Sequence, residues 1–152
     1  MPGINASRQF IPLKIAVLTV SDTRSLTDDK SGATLAERIE KAGHAVADRA
    51  IVTDDIEAIR TRIRAWIAEP GIDVVITTGG TGVTGRDGTP EAIAVLLEKE
   101  IEGFGELFRM ISYEEIGASS LQSRCLAGVA NGTYVFCLPG SAIHADTMAR
   151  IA

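Results

Sequence analysis

The run TTGGTGVTGRDGTP (77–90) holds five glycines and five threonines, but only one acid, Asp87, and one base, Arg86. Glycines at 79, 80, 82, 85 and 88 let a backbone turn successive N–H groups toward an anion, and the hydroxyls of Thr78, Thr81 and Thr84 add donors. A carboxylate on the same loop would repel a phosphate held there. Asp87 therefore points either to a bridging cation or to a general base, and Mg2+ is the ion that joins one or two carboxylates to phosphate oxygens. Asp54, at the end of a second predicted strand, could reach the same place and share that ion. The competing reading is that Asp54 caps the helix starting near Ile56, because Thr-Asp-Asp before an apolar stripe is an ordinary cap pattern. Spacing alone leaves both open.

Other chemistries find less support. No Gly-Lys-Ser/Thr follows the loop, so it is not a Walker A sequence. No G-x-G-x-x-G sits at the first strand turn, which argues against a redox domain holding a dinucleotide. Cys125 and Cys137 are too few for a disulfide framework and lie among apolar neighbours, as buried free thiols in a reducing cytoplasm do. Together with His44 and His144 they give no zinc-ligand spacing. His44 reads as a turn residue, Asp28-Asp29-Lys30 as a solvated loop, and Glu106 and Arg109 as an exposed pair on a helix.

The elements around these residues follow from periodicity. KIAVLTV (14–20) is a β-branched apolar run that predicts a strand buried on both faces and ends at Ser21-Asp22. A polar loop, TRSLTDDKSG, precedes a helix over ATLAERIEKAG. HAVADRAIV (44–52) predicts a second strand. From Asp55, Ile56, Ile59, Ile63, Trp66 and Ile67 form one stripe of a helix that Pro70-Gly71 stops. DVVITT (73–78) is the third strand and runs straight into the glycine loop. Thr89-Pro90-Glu91 opens a helix with threonine as its cap, which EAIAVLLEKEI continues. Beyond Gly103 a second, shorter helix is predicted. Asn131-Gly132 between two apolar runs signals a hairpin, and a last helix begins after Leu138-Pro139-Gly140-Ser141. Strands alternating with helices imply a single-domain, three-layer α/β/α fold with a mostly parallel sheet plus an antiparallel hairpin. Ligands bind beyond the carboxyl ends of such strands. Ser21-Asp22, Gly79-Gly80-Thr81-Gly82 and Pro139-Gly140-Ser141 all fall there, on one predicted rim.

The totals limit the partners. A chain of 152 residues with net charge −5 suits one core and offers no basic face to nucleic acid, although backbone N–H groups still accommodate a small anion. No stretch reaches the ~18 apolar residues that a membrane span needs. MPGINASRQF lacks the order of a signal peptide and reads as a loose leader, residues 1–12, before one domain over 13–152.

TTGGTGVTGRDGTPEA, with LTVSDTRS and DKSG before it and EGFGELFRMISYEEIGASSLQSR and LPGS after it, resembles the MoaB/MogA family of molybdenum cofactor biosynthesis, its MoaB-type members above all. The resemblance runs from about Phe10 to Ser141. It implies a homo-oligomer, trimer or hexamer, with a molybdopterin site on the rim. In the MogA-like branch it implies Mg2+-dependent adenylylation of molybdopterin by ATP, pyrophosphate leaving and the product passing to a MoeA-type partner. By position, Asp54 and Asp87 would be catalytic and hold Mg2+. Gly79, Gly80, Thr81 and Gly82 would hold phosphate, and Asp22, Ser123, Gly140 and Ser141 would line the site. Retention of both acids favours an enzyme over a non-catalytic pterin- or nucleotide-binding carrier. The family pattern continues past LPGS through a full helix and a tail, so the chain reads as cut short at Ala152.

Overall fold

The run KIAVLTV forms β1 (Lys14–Val20), with every residue after Lys14 buried. In the computed structural model, which describes residues 6–83, 85–141, 144 and 148, this strand lies second in a six-stranded sheet. Its neighbours are β2 (Ala45–Val52) on the outer side and β3 (Val74–Thr78) on the inner side, both parallel to it. β3 in turn pairs in parallel with the last strand, Thr133–Leu138, which is antiparallel to Leu126–Ala130. A two-residue strand, β4 (Lys99–Glu100), closes the far edge, so the latter two are β5 and β6 and the order is β2-β1-β3-β6-β5-β4. Asn131 and Gly132, at φ 49 and 76, make the two-residue turn of the β5–β6 hairpin.

Alternation along the strands divides the core. Ile15, Val17, Val74 and Ile76 face α1 (Lys30–Lys41) and α4 (Glu102–Ile116), meeting Leu35, Ile39, Phe104 and Phe108. Ala16, Leu18, Val20 and Val75 face α2 (Ile56–Ala68) and α3 (Thr89–Ala94), meeting Ile59, Ile63, Trp66 and Ile93. The three-layer arrangement with a mostly parallel sheet is the one the sequence predicts. Cys125 and Cys137 are buried and free, and burial pushes the Cys137 thiol up to about 12. Among the described residues no helix is long and apolar enough to cross a membrane.

Several local expectations are corrected. The polar loop does not extend through Gly32: α1 already begins at Lys30, because the Asp29 carboxylate accepts the Gly32 N–H at 3.0 Å and caps it. Asp29 is therefore no solvated loop acid but is 2% exposed. Thr89 is not the cap of α3; Gly88 precedes the helix and Thr89 is its first residue. Nor does that helix run on through EAIAVLLEKEI. It ends at Ala94, and the chain turns so that the Glu98 and Ile101 N–H groups reach the Val129 and Ala127 carbonyls. An open edge on β5 competes for this segment and wins over its helical propensity. Gly128 allows the approach, since a Cβ there would lie 2.5 Å from the Lys99 carbonyl oxygen. Finally, α4 has 15 residues and is the longest helix described, not a shorter companion, and its Arg109 is drawn inward to the Ser123 carbonyl at 3.3 Å rather than forming an exposed pair.

Phe10, within the predicted leader, sits with its ring 5.2 Å from that of His44, and His44 accepts the Leu13 N–H. Apart from His144 and Met148, which are helical, the helix predicted after Ser141 lies outside the described residues.

Candidate functional site

Parallel pairing of β1, β2, β3 and β6 carries their carboxyl ends to one rim of the sheet. Gly79 follows β3 with φ 95, and its N–H bonds to the Leu138 carbonyl at 3.2 Å, so the glycine loop starts in contact with the end of β6. A Cβ on Gly79 would lie 2.4 Å from the Val20 carbonyl oxygen, which leaves room for glycine only at this turn. A Cβ on Gly140 would in turn lie 2.9 Å from the Gly79 Cα. Ser141 follows in a tight turn closed by its own N–H to the Pro139 carbonyl. Thr81 is buried, and the Thr89 N–H bonds to the Gly80 carbonyl at 3.0 Å, tying the loop to the start of α3.

The two acids meet here. Asp55, not Asp54, caps α2, accepting the Ala58 N–H at 2.9 Å, which leaves the Asp54 side chain free of the helix. Asp54 lies against Asp87 and is 9% exposed. Burial first, then a hydrogen bond and like charge from Asp87, push its carboxyl up from 3.8 to about 6, with the Gly88 N–H opposing and Asp22 adding a little. Asp54 Oδ1 is buried without a hydrogen-bond partner, as is Thr89 Oγ1. A Cβ on Gly80 would approach both residues, at 3.2 Å from Asp54 Oδ2 and 2.2 Å from Thr89 Oγ1. Two carboxylates pressed together with an orphaned oxygen need a proton or a hard cation between them. The donor set fits Mg2+, which takes one or two protein carboxylates and completes its shell with phosphate and water. It does not fit a closed protein cage: among the described residues no group of three or more acids, histidines and cysteines comes together.

Asp22 is a brace of the rim. Its Oδ1 accepts the Asp54 N–H at 3.0 Å, and its Oδ2 stands 3.1 Å from Arg86 Nη1, while Arg86 Nη2 donates to the Asp54 carbonyl at 3.1 Å. Arg86 thus folds the loop tip over the ends of β1 and β2. Ser123 is buried, with its N–H bonded to the Ser120 carbonyl and its own carbonyl accepting from Arg109, and the next residue, Arg124, reaches the loop. On the same rim a cleft of about 180 Å³ opens between Thr19, Ser21, Arg24, Ser31, Gly79 and Gly140; neither Asp54 nor Asp87 lines it. Sequence reasoning gave no site role to Arg24, Ser31 or Arg124, and noted Arg86 only as the one base of the glycine run. For Arg24 and Ser31 a signal did exist, since both belong to segments flanking the end of β1.

Gly82 sets the position of Asp87. Its N–H donates to Asp87 Oδ2 at 2.8 Å, and a Cβ on Gly82 would fall 2.1 Å from that oxygen. Its φ is outside the left-handed region, so alanine fits the backbone and only the carboxylate must move. Gly82→Ala is therefore expected to leave the thermal midpoint within about 2 °C of the parent, since the change is on an exposed loop. Chemistry that depends on Asp87 should fall by about 10- to 100-fold, the cost of displacing a reacting group by about an ångström. Equal turnover of the two proteins would contradict this assignment.

A family described as a probable molybdopterin binding domain matches residues 16–152. The chain is 54% identical over 135 residues to the molybdenum cofactor biosynthesis protein B of Escherichia coli strain K12, covering 89% of this chain and 79% of that protein. Among solved structures, the crystal structure of a molybdenum cofactor biosynthesis protein B superposes with a TM-score of 0.89 at 45% identity, covering 92% of this chain and 88% of that one. The tungsten cofactor synthesizing protein MoaB from Pyrococcus furiosus superposes with a TM-score of 0.77 at 40% identity, covering 92% and 89%.

Proposed function

Because this chain belongs to the MoaB/MogA family of molybdenum cofactor biosynthesis proteins, we propose that its rim binds molybdopterin and ATP and transfers the adenylyl group between them. A terminal phosphate oxygen of the pterin attacks the α-phosphorus of ATP. The bond from that phosphorus to the oxygen bridging to the β-phosphate breaks, and pyrophosphate carries the electrons away. The observation that supports this reading is the meeting of Asp54 and Asp87 beside a glycine loop, with one carboxylate oxygen buried and unpartnered.

The chain's residues supply most of what the transfer needs. Bringing two polyanions together is costly unless preorganised donors take up the charge, and the protein's own net charge of −5 offers no general attraction. With the Gly79 and Gly82 N–H groups engaged by Leu138 and Asp87, the backbone N–H groups of Gly80 and Thr81 and the side chains of Arg24 and Ser31 bordering the cleft provide those donors locally. Mg2+, held by Asp54 and Asp87, would neutralise phosphate charge and orient the phosphates when bound. Asp54, 9% exposed and set against Thr89 and Gly80, is preorganised for that role without a third protein ligand.

The proposal extends to a homo-oligomer, a trimer or hexamer, and to a MoeA-type protein that receives the adenylylated product in the cytoplasm. An apolar face on α4 and the following 3-10 turn (Gly117–Gln122), with Met110 63% and Leu121 86% exposed, suits self-association.

Purified protein given ATP, Mg2+ and molybdopterin is expected to release one pyrophosphate per pterin modified, and none when any of the three is left out. Pterin binding without pyrophosphate release would make the protein a carrier rather than a transferase.

A further inference from the structure

We propose that Arg124 is the positioning residue for Asp87, fastening both ends of the glycine loop to the first turn of α3 and so fixing where the carboxylate stands. Its Nε donates to the Thr81 carbonyl at 3.0 Å and its Nη2 to the Asp87 carbonyl at 3.2 Å. The remaining fork closes on the Glu91 carboxylate, Nη1 on Oε1 and Nη2 on Oε2. Thr81 and Asp87 are the two feet of the arch, and the Gly82 N–H holds Asp87 Oδ2 at 2.8 Å within it. The described residues between the feet are exposed, so no apolar packing holds the arch in shape. Hydrogen bonds must do so, from Arg86 on the side of β1 and β2 and from Arg124 on the other.

The geometry calls for arginine. Two carbonyls and a carboxylate lie around one planar group, and only a guanidinium offers donors in a fixed fork to all three. Four of its five N–H groups are engaged by these contacts, so Arg124 acts through the loop and not by gripping a ligand. The pairing with Arg124 also holds the Glu91 carboxyl below its ordinary value, the mark of a charge fixed in place. Arg124 is itself placed from behind, since Arg109 on α4 holds the Ser123 carbonyl at 3.3 Å.

The activity readout rests on the adenylyl-transfer reading, but the structural one does not. Arg124→Gln is expected to shift the Gly82 amide proton resonance toward its solvent-exposed position, as Asp87 Oδ2 leaves it, while amides of β1 and β3 keep theirs. In the pyrophosphate assay kcat should fall by about 100-fold, with KM for ATP changed by less than about threefold, as for a misplaced rather than a missing binding group. Arg124→Lys keeps the charge without the fork and should move the Gly82 resonance in the same direction; it serves in place of the glutamine variant should that one not fold. An unmoved Gly82 resonance in either folded variant would overturn the proposal. So would a KM for ATP that rises as much as kcat falls, because Arg124 would then be holding the ligand itself. If the parent protein releases no pyrophosphate, the adenylyl-transfer reading fails and the Gly82 resonance still decides the role of Arg124.

Discussion

Asp87→Asn is expected to cut pyrophosphate release by about a thousandfold, the scale on which a preorganised charge at a phosphoryl-transfer site acts. The protein should stay folded and keep its oligomeric state. Asparagine is the same size, and its Oδ1 can still accept the Gly82 N–H that now holds Asp87 Oδ2 at 2.8 Å. What it removes is the like charge against Asp54, so stability at neutral pH should rise. The sign follows from the carboxyl of Asp54, raised in the folded protein from 3.8 to about 6 by burial and then by Asp87. The folded state therefore binds the proton more tightly than the unfolded state. Stability from this group is fully present below about pH 4 and is lost as pH climbs through about 6. Water at the rim screens the interaction, so the loss is on the order of 1–2 kcal/mol, less than the bare shift would give. Urea titrations of the metal-free protein between pH 4 and pH 7 should show this decline in the parent and a flatter one in Asp87→Asn, where the contributions of burial and Asp22 persist. A variant that keeps full activity, or one whose stability falls as steeply with pH as the parent's, would remove Asp87 from the site.

The parts of this site that the sequence makes legible are those whose signal is local. β1 and β3 are runs buried on both faces, and no polar alternation obscures them. Asn131-Gly132 takes the positive φ values that such a pair favours. Once these elements are parallel, the shared rim follows from topology alone. Asp54 and Asp87 could be named because each follows a strand end or its loop, but their contact depends on Asp55 taking over the cap of α2, which one residue of spacing could not decide. Contacts made at long range left no comparable trace. Arg124 reaches carbonyls 43 and 37 residues earlier, and nothing beside Arg124 in the chain marks it as different from other surface arginines. The two-residue β4 exists only because β5 has an edge to cover, and its helical propensity misleads for that reason.

Asp29 is where local reading was most misleading, and where substitution should cost most in stability. Three charged residues in a row between a strand and a helix look like solvent-facing loop, yet this carboxylate joins β1, β2 and α1. Its Oδ1 caps α1 through the Gly32 N–H at 3.0 Å, while Oδ2 accepts the Thr19 hydroxyl at 2.6 Å and Arg49 Nη2 at 3.3 Å. Asp29→Ala removes the cap, strands a buried hydroxyl and leaves Arg49, 26% exposed, without this acid. The cap contributes about 1 kcal/mol, and the abandoned partners bring the total to about 3 kcal/mol. For a chain of this size that is a fall of roughly 6–12 °C in Tm. Asp29→Asn should lose less, because the amide oxygen still caps the helix, but Nδ2 takes the place of the second carboxylate oxygen, so the Thr19 hydroxyl must turn to accept and Arg49 loses its acceptor. Thr19 and Ser31 border the cleft on this rim, so the alanine variant should also weaken ligand binding there, and the asparagine variant should do so less. Urea denaturation at one fixed protein concentration, which keeps subunit association from entering the comparison, measures both changes. If Asp29→Ala unfolds within about 0.5 kcal/mol of the parent, the buried carboxylate does not hold the three elements together, and Arg49 and Thr19 find water instead.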